Sequence, residues 1–159
     1  MPNWCNNWVT CTGSAEAITN LKNILEKHVP LRGEGTDFGF LSIKEGYFFD
    51  IYVGDHEPTM LTFSYETKWS PNLSDLAEFC MQLGVSASCE YSEGGMEIYG
   101  FAQIDSNGEI ISKDDVPTEF LKLIEYDDNT FNYVYNGEKF ELIEEIIESH
   151  YKTWKSQQQ

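Results

Sequence analysis

Residues 4–28 read WCNNWVTCTGSAEAITNLKNILEKH and contain, in order, a strand pattern, a break and a helix pattern. In 4–12 every second residue falls on the same side, which is the period-two spacing of a half-buried strand. Ser14 follows Gly13 and has the side chain preferred at a helix N-cap. From Ala15 to His28 the apolar residues recur at helical spacing, so the sequence predicts an amphipathic helix there. The residues predicted to share one face of the strand are Cys5, Val9 and Cys11.

Four further strands are predicted from β-branched, aromatic and alternating residues. Turns are expected between them at Gly54–Thr59 and at Gly94-Gly95, the latter as a tight hairpin. The predicted strands are Tyr47–Val53, Met60–Trp69, Val85–Ser92 and Met96–Ile104.

A second helix is predicted from its two ends. Ser70-Pro71 matches the preferences for the N-cap and first position of a helix, and Gly84 matches those for the residue after its C-terminus. The element order is then β-α-β-β-α-β with one more strand. That is the order of an α+β, ferredoxin-like split βαβ fold, with two helices on one face of an antiparallel sheet. The first strand is expected between the third and the fourth.

Residues 105–159 predict a C-terminal extension of strands and helices beyond a ferredoxin-like core at 1–104. Short strands are expected at Glu109–Ser112 and Thr130–Tyr135, and a short helix at Pro117–Ile124. The chain is expected to end in a long amphipathic helix over Phe140–Trp154. No Pro/Ser-rich linker separates the two parts, so we expect the extension to pack on the same domain.

The charge narrows the classes of partner. The 159 residues include 27 acidic and 10 basic ones, a formal net charge of −17. Direct binding to DNA, RNA or an anionic membrane needs a positive surface, so these partners are excluded. Basic host proteins remain as partners, as does the simpler explanation that the charge only maintains solubility. The longest apolar run is far shorter than the roughly 20 residues of a membrane span, and the opening residues predict no signal peptide, so a cytoplasmic location is expected.

Neither a cofactor nor a catalytic centre is predicted. The four cysteines contain no Cys-x-x-Cys pair, so they are expected to be buried and reduced rather than metal ligands. The histidines have no nucleophile or carboxylate at motif spacing. Asp55-His56-Glu57 is not expected to bind a metal, because adjacent residues of a turn cannot all face one ion. The residues concerned are Cys5, Cys11, Cys80, Cys89, His28, His56 and His150.

The predicted topology brings three separate segments to one end of the sheet. The third and fourth strands run antiparallel to the first, so their ends lie beside its beginning. Two interpretations remain open: the residues there close the core and the turns, or they form a shallow polar and aromatic pocket for a ligand or peptide. The candidate ligand- or partner-binding residues are Asn3, Trp4, Asn6, Thr67, Trp69, Ser70, Glu93 and Gly94.

The same three segments carry a family resemblance. The opening MPNWCNNWVTCTG at 1–13 resembles the pattern M-P-N-W-C-x-N, YETKWSP at 65–71 resembles aromatic-x-T-x-W-x-P, and YSEGGMEIYG at 91–100 resembles a Y-x-E-x-G hairpin. Together they resemble the YubB-like ferredoxin-fold proteins of bacterial plasmids and phages, over about residues 1–104. The resemblance implies the fold and a mobile-element setting; it implies no established activity.

The predicted last helix carries a stripe of carboxylates at three- and four-residue spacing, formed by Glu141, Glu144, Glu145 and Glu148. Such a stripe is usually a solvated face, although its spacing also resembles that of DNA phosphates. We therefore expect a non-enzymatic accessory protein of a mobile element that acts through protein–protein contacts, with DNA mimicry or an anti-defence role as its most specific form. The alternative is a small-ligand-binding or enzymatic domain that uses Trp4, Trp69 and Glu93.

Overall fold

A computed structural model of the chain describes residues 3–30, 33, 35–36, 38–41 and 48–159. The chain divides into two units, Met1–Asp114 and Asp115–Gln159. In the first unit the strands are β1 (Trp4–Thr12), β2 (Phe49–Glu57), β3 (Met60–Lys68), β4 (Ser86–Glu93), β5 (Ile98–Ile104) and β6 (Ile110–Asp115, of which only the last residue belongs to the second unit), and the helices are α1 (Ala15–His28) and α2 (Leu73–Leu83).

The strands form one sheet in the order β2-β3-β1-β4-β5-β6. Strand β1 pairs antiparallel with both β3 and β4, as predicted for the ferredoxin-like fold. Burial alternates along β1, with Cys5, Val9 and Cys11 in the core. Helix α1 spans the predicted residues, and the Ser14 hydroxyl accepts the backbone N–H of Ala17 at 3.1 Å. The ferredoxin-like α+β fold is therefore confirmed.

The predicted turn at Gly54–Thr59 is wrong, because β2 continues through it to Glu57. The pairing of β2 with β3 shifts register between Val53 and His56, as at a β-bulge. A Cβ on Gly54 would collide with the Thr62 hydroxyl, so glycine is needed for this close approach rather than for a turn. Tyr47, the predicted first residue of this strand, lies outside the described residues.

The predicted start of α2 at Ser70-Pro71 is also wrong, because the helix begins at Leu73. The Thr67 hydroxyl donates to the Ser70 carbonyl at 2.8 Å, and this bond holds the chain in a corner before the helix. The predicted C-terminal stop is confirmed: Gly84 is left-handed, with φ 65°. That conformation carries almost no steric penalty for glycine.

The core lies between the sheet and the two helices and is rich in aromatic rings. Phe79 of α2 is fully buried, and its ring lies 5.0 Å from Phe38 and 5.7 Å from Phe48, measured between centroids. The Tyr65 ring packs at a tilt against that of Phe48, with centroids 4.4 Å apart, and the Tyr65 hydroxyl donates to Asn72 Oδ1 at 2.8 Å. Burial raises the pKa of Tyr65 well above its usual value, so the hydroxyl remains a donor at neutral pH.

All four cysteines are free and buried, as predicted. Burial raises the pKa of the Cys5 thiol to about 11 and also raises that of Cys89. The pKa of Cys11 is raised chiefly by its hydrogen bond with the thiol of Cys80. The thiols of Cys5, Cys11 and Cys89 therefore remain protonated in the folded protein, and all four thiols are shielded from solvent.

We expect thiol reagents at pH 8 to modify the folded protein only as fast as it unfolds, whereas all four thiols react at once in denaturant. Because unfolded thiols have a pKa of about 8.5, the stability that the buried thiols contribute should be constant below that pH. It should fall as pH rises from there towards the folded value of about 11 for Cys5. Timed alkylation and urea titrations at several pH values measure both effects. Rapid labelling of the native protein would contradict the buried arrangement.

The second unit contains a small helix and a separate antiparallel sheet of three strands in the order β7-β8-β9. Its elements are α3 (Thr118–Leu121), β7 (Glu125–Asp127), β8 (Asn132–Tyr135), β9 (Glu138–Phe140), α4 (Ile143–Ile146), a π-helical segment (Ile147–Tyr151) and α5 (Lys152–Gln157). Phe120 is fully buried in this unit, with its ring 5.3 Å from those of Tyr151 and Trp154.

The predicted uninterrupted helix over Phe140–Trp154 is wrong in two respects. Phe140 belongs to β9, so the helix begins three residues later, at Ile143. The π-helical segment then interrupts the α-helical hydrogen bonding over Ile147–Tyr151. A π turn changes the angular spacing of the side chains on either side of it, so one regular stripe does not run along the whole helix. Within the described residues no helix combines the length and apolar character that a membrane span requires.

Candidate functional site

The three motif segments meet at one end of the sheet, as the topology predicts. Trp4 pairs with Lys68 and Cys5 with Thr67, and Asn6 pairs with Ser92, the residue before Glu93. The backbone N–H of Trp69 donates to the carbonyl of Asn3 at 2.8 Å, which extends this contact beyond the ends of both strands.

A buried polar network lies beneath this end of the sheet. Asn7 is fully buried, and its Nδ2 donates to the Cys5 carbonyl and to Thr67 Oγ1, each at 3.0 Å, with the Tyr65 carbonyl at 3.4 Å. Thr67 is also buried, and its hydroxyl donates a hydrogen bond to the Ser70 carbonyl. Thr67 and Ser70, both candidate binding residues, therefore connect β1 and β3 to the corner before α2.

Glu93, the charged member of the candidate pocket, is only 3% exposed and binds the backbone of the turn that follows it. Its Oε1 accepts the N–H of Gly95 at 2.8 Å, and its Oε2 accepts the N–H of Met96 at 2.7 Å. This turn covers Gly94–Glu97, so the predicted two-residue hairpin is wrong. Each carboxylate oxygen thus has a partner in the protein itself.

The remaining candidates lie near the surface. A Cβ on Gly95 would collide with the side-chain amide of Asn3, so Asn3 lies against the turn that Glu93 holds. Trp4 is 39% exposed, and Trp69 is 48% exposed with a left-handed φ of 71°. Gly94 is exposed, and Asn6 is half-buried on the side of β1 away from the core.

This arrangement favours a structural role for most of the convergent end. Asn7 Nδ2, Thr67 Oγ1 and the Glu93 carboxylate bind the backbone of neighbouring segments. The neighbouring Cys5 thiol has its pKa raised to about 11 by burial, which makes it a poor nucleophile. Within the described ranges no group of three or more His, Cys, Asp or Glu residues is placed to hold a metal ion. The use of Trp4, Trp69 and Glu93 as a ligand site stays a prediction.

A second candidate surface was not predicted: the side of the six-stranded sheet opposite the core, here called the open face. One row of paired residues crosses it, in which Tyr52 pairs with Ser64, Ser64 with Trp8, Trp8 with Glu90, and Glu90 with Phe101. Trp8 is 43% exposed and Tyr52 is 67% exposed. Large exposed aromatic side chains on a sheet are a common mark of a binding surface.

A depression of about 320 Å³ lies in this row. Trp8 and Tyr52 stand on strands that flank β3, and the residue between them is only a serine. Two strand spacings place their backbones about 10 Å apart. The depression is lined by Trp8, Tyr52, Gly54, Thr62, Ser64 and Glu90, among others.

The open face also carries carboxylates beside its aromatic rings. Glu66 pairs with Phe49, and its pKa is raised first by burial and then by the nearby charge of Asp50. The Phe49 ring lies beneath Trp4, with centroids 5.0 Å apart, and Lys68 Nζ lies 5.1 Å from its centroid. The open face therefore already contains one contact between a cation, Lys68, and an aromatic ring, Phe49.

The predicted acidic stripe is divided between different environments. Glu141 precedes the helix, and Glu145 turns back so that its Oε2 accepts the N–H groups of Glu141 and Leu142 at 3.1 and 3.2 Å. Glu145 is therefore an N-terminal capping residue of α4. Glu144 lies on α4 and Glu148 in the π-helical segment, so the regular spacing of the four carboxylates is not retained.

A match to a family model supports the fold. A family model described as "Ferredoxin-like domain in Api92-like protein" matches residues 48–138. Among solved structures, the chain is similar to a crystal structure of protein Api92 from Yersinia pseudotuberculosis, with 13% identity and a TM-score of 0.39. That alignment covers 59% of this chain but only 30% of the Yersinia protein. No curated protein matches the sequence. Because the family model covers more than half of the chain, the chain belongs to the family of ferredoxin-like domains in Api92-like proteins.

Proposed function

We propose that the chain is a non-enzymatic, cytoplasmic protein-interaction module whose partners are basic proteins. The observation that carries this proposal is the open face, where Trp8 and Tyr52 are exposed beside Glu90 in one row of the sheet. Aromatic side chains supply contact area at low entropic cost, and the carboxylates select the charge of the partner.

The overall charge supports the choice of partner. At a net charge of −17 the protein repels nucleic acids and anionic membranes at long range and attracts basic surfaces. The pKa of Glu66 on the open face is raised first by burial and then by repulsion from the nearby charge of Asp50. A cationic partner lowers that repulsion, so binding is expected to weaken as salt screens the charges.

The proposal extends to a phage or plasmid setting, which the motifs at 1–13, 65–71 and 91–100 support through their resemblance to YubB-like proteins. In that setting, basic host proteins that bind DNA are the partners with the most suitable charge. DNA mimicry is the most specific form of this idea. The open face is a better candidate for DNA mimicry than the last helical region. In that helical region Glu145 already binds backbone amides.

The test is affinity capture with two matched charge-neutralised variants. The immobilised chain is exposed to bacterial lysate at low salt and eluted with a salt gradient. One variant, Glu66→Gln/Glu90→Gln, removes two charges from the open face. The other, Glu144→Gln/Glu148→Gln, removes two charges from the last helical region. We expect the native chain and the helix variant to retain basic proteins, and the open-face variant to lose most of them.

Each outcome has a distinct meaning. If the helix variant loses the partners and the open-face variant keeps them, the acidic helical region is the interaction surface and the open-face proposal is wrong. If none of the three proteins retains a basic protein at low salt, the charge serves solubility alone. Competition by duplex DNA for the retained proteins tests mimicry separately, because a mimic and DNA occupy the same surface of the partner.

A further inference from the structure

We propose that the depression between Trp8 and Tyr52 binds a single arginine side chain of the basic partner. This inference rests on the proposed function and specifies its chemistry. It commits to arginine because the open face combines two features that a guanidinium needs, aromatic faces for stacking and a carboxylate for paired hydrogen bonds.

The floor of the depression is made of small side chains. Ser64 lies between Trp8 and Tyr52 in the paired row, and Gly54 and Thr62 continue the floor along the neighbouring strands. A larger residue at Gly54 is excluded by the close Thr62 hydroxyl. The volume of about 320 Å³ is at the lower end of the range for ligand pockets, which suits one long side chain better than a cofactor.

The walls of the depression suit a planar cation. Trp8 and Tyr52 are exposed, so their rings can adjust to stack on a guanidinium without disturbing the core. Glu90 pairs with Trp8 on the next strand and lines the same depression, which places a carboxylate beside the stacked cation. Tryptophan gives the strongest attraction of the aromatic residues for a cation over its face.

A similar contact within the protein supports this chemistry. Lys68 Nζ lies 5.1 Å from the centroid of Phe49, on the same face of the sheet and with Glu66 paired to Phe49. The open face thus already combines a cation, an aromatic ring and a carboxylate at one end. The depression likewise holds aromatic rings and a carboxylate, and an arginine of the partner adds its cation to them.

A single-stranded nucleic acid is the other occupant that stacks on aromatic residues of a sheet. Such binding also needs a positively charged groove along the backbone. Here Glu66 and Glu90 lie on the open face, and the net charge of the chain is −17. The observations therefore favour an arginine-bearing peptide over nucleic acid.

The test uses the full chain and three labelled probes: an oligo-arginine peptide, an oligo-lysine peptide of equal length, and an oligothymidine. We expect the arginine peptide to bind at least about fivefold more tightly than the lysine peptide, since lysine lacks the planar stacking surface. Trp8→Leu, Tyr52→Leu and Glu90→Gln should each weaken arginine binding about five- to tenfold. Tyr126→Leu is the matched control, because Tyr126 is a 51% exposed aromatic residue of the second unit that does not line the depression, and this variant should bind like the native chain.

The outcomes separate this inference from the proposed function. Equal binding of both peptides, unchanged by Trp8→Leu and Tyr52→Leu, would overturn the arginine site while leaving a general interaction with basic partners intact. Binding of neither peptide would overturn both. Preferential binding of oligothymidine would assign the open face to nucleic acid instead. Unfolding curves of each variant identify any loss of binding that comes from misfolding, and Tyr52→Leu alters a largely solvent-exposed position.

Discussion

Replacing Asn7 by alanine is expected to lower the free energy of unfolding by about 3 kcal/mol, since it removes a fully buried hydrogen-bonding side chain and leaves a cavity. In the folded protein Asn7 Nδ2 binds the Cys5 carbonyl and the Thr67 hydroxyl. Without it, Thr67 Oγ1 loses its donor inside the core. Urea unfolding followed by tryptophan fluorescence measures the change.

Asn6→Ala is the matched control for this prediction. Asn6 is the preceding residue of the same strand, but it lies half-buried on the open face. A change there is expected to alter stability by no more than about 0.5 kcal/mol. A double-mutant cycle with Thr67→Val should give a coupling energy of about 1 kcal/mol, because the two side chains share a hydrogen bond. Equal stabilities of the Asn6 and Asn7 variants would contradict the network.

The elements predicted most accurately were those that depend on neighbouring residues alone. Strand β1 and helix α1 have the predicted bounds, because alternation and helical spacing are local patterns. Once these and the following strands are known, the ferredoxin-like order is nearly determined by the rules of strand connection. The short strands of the second unit, such as β7 and β9, have three residues each and carry no comparable pattern.

The turns were predicted poorly because distant side chains determine them. Gly54 indicated a turn, yet the Thr62 hydroxyl makes it part of a bulged strand. Gly94-Gly95 indicated a two-residue hairpin, yet the Glu93 carboxylate organises a longer turn. In each case the side chain of a residue outside the glycines and their turn determines the backbone conformation.

The position of the candidate site was predicted correctly, but some of the residues that form it were not. The convergence of Asn3, Thr67 and Glu93 follows from topology, which the sequence predicts. Asn7 was missed although a signal existed, since it lies between Cys5 and Val9 on the inward side of the alternation. The row that joins Trp8 with its neighbours depends on the register of separate strands. Register is not determined by residue type alone.

Glu93→Ala is expected to lower the free energy of unfolding by about 2 kcal/mol, because two backbone N–H groups lose charged acceptors in a partly buried turn. The groups concerned are those of Gly95 and Met96. The turn then loses the contact that holds it against Asn3, so amide hydrogen exchange should accelerate at Gly95 and Met96 before it does in the central strands. Urea unfolding and exchange measured by NMR test both effects.

Two further variants identify the cause of the Glu93 effect. Glu93→Gln keeps one side-chain oxygen as an acceptor, so it should recover about half of the lost stability. Glu97→Ala removes an exposed carboxylate from the same turn and should change stability by no more than about 0.5 kcal/mol. If Glu93→Ala instead leaves stability and exchange unchanged, the carboxylate does not hold the turn. Its burial at the convergent end of the sheet would then favour the ligand-site interpretation over the structural one.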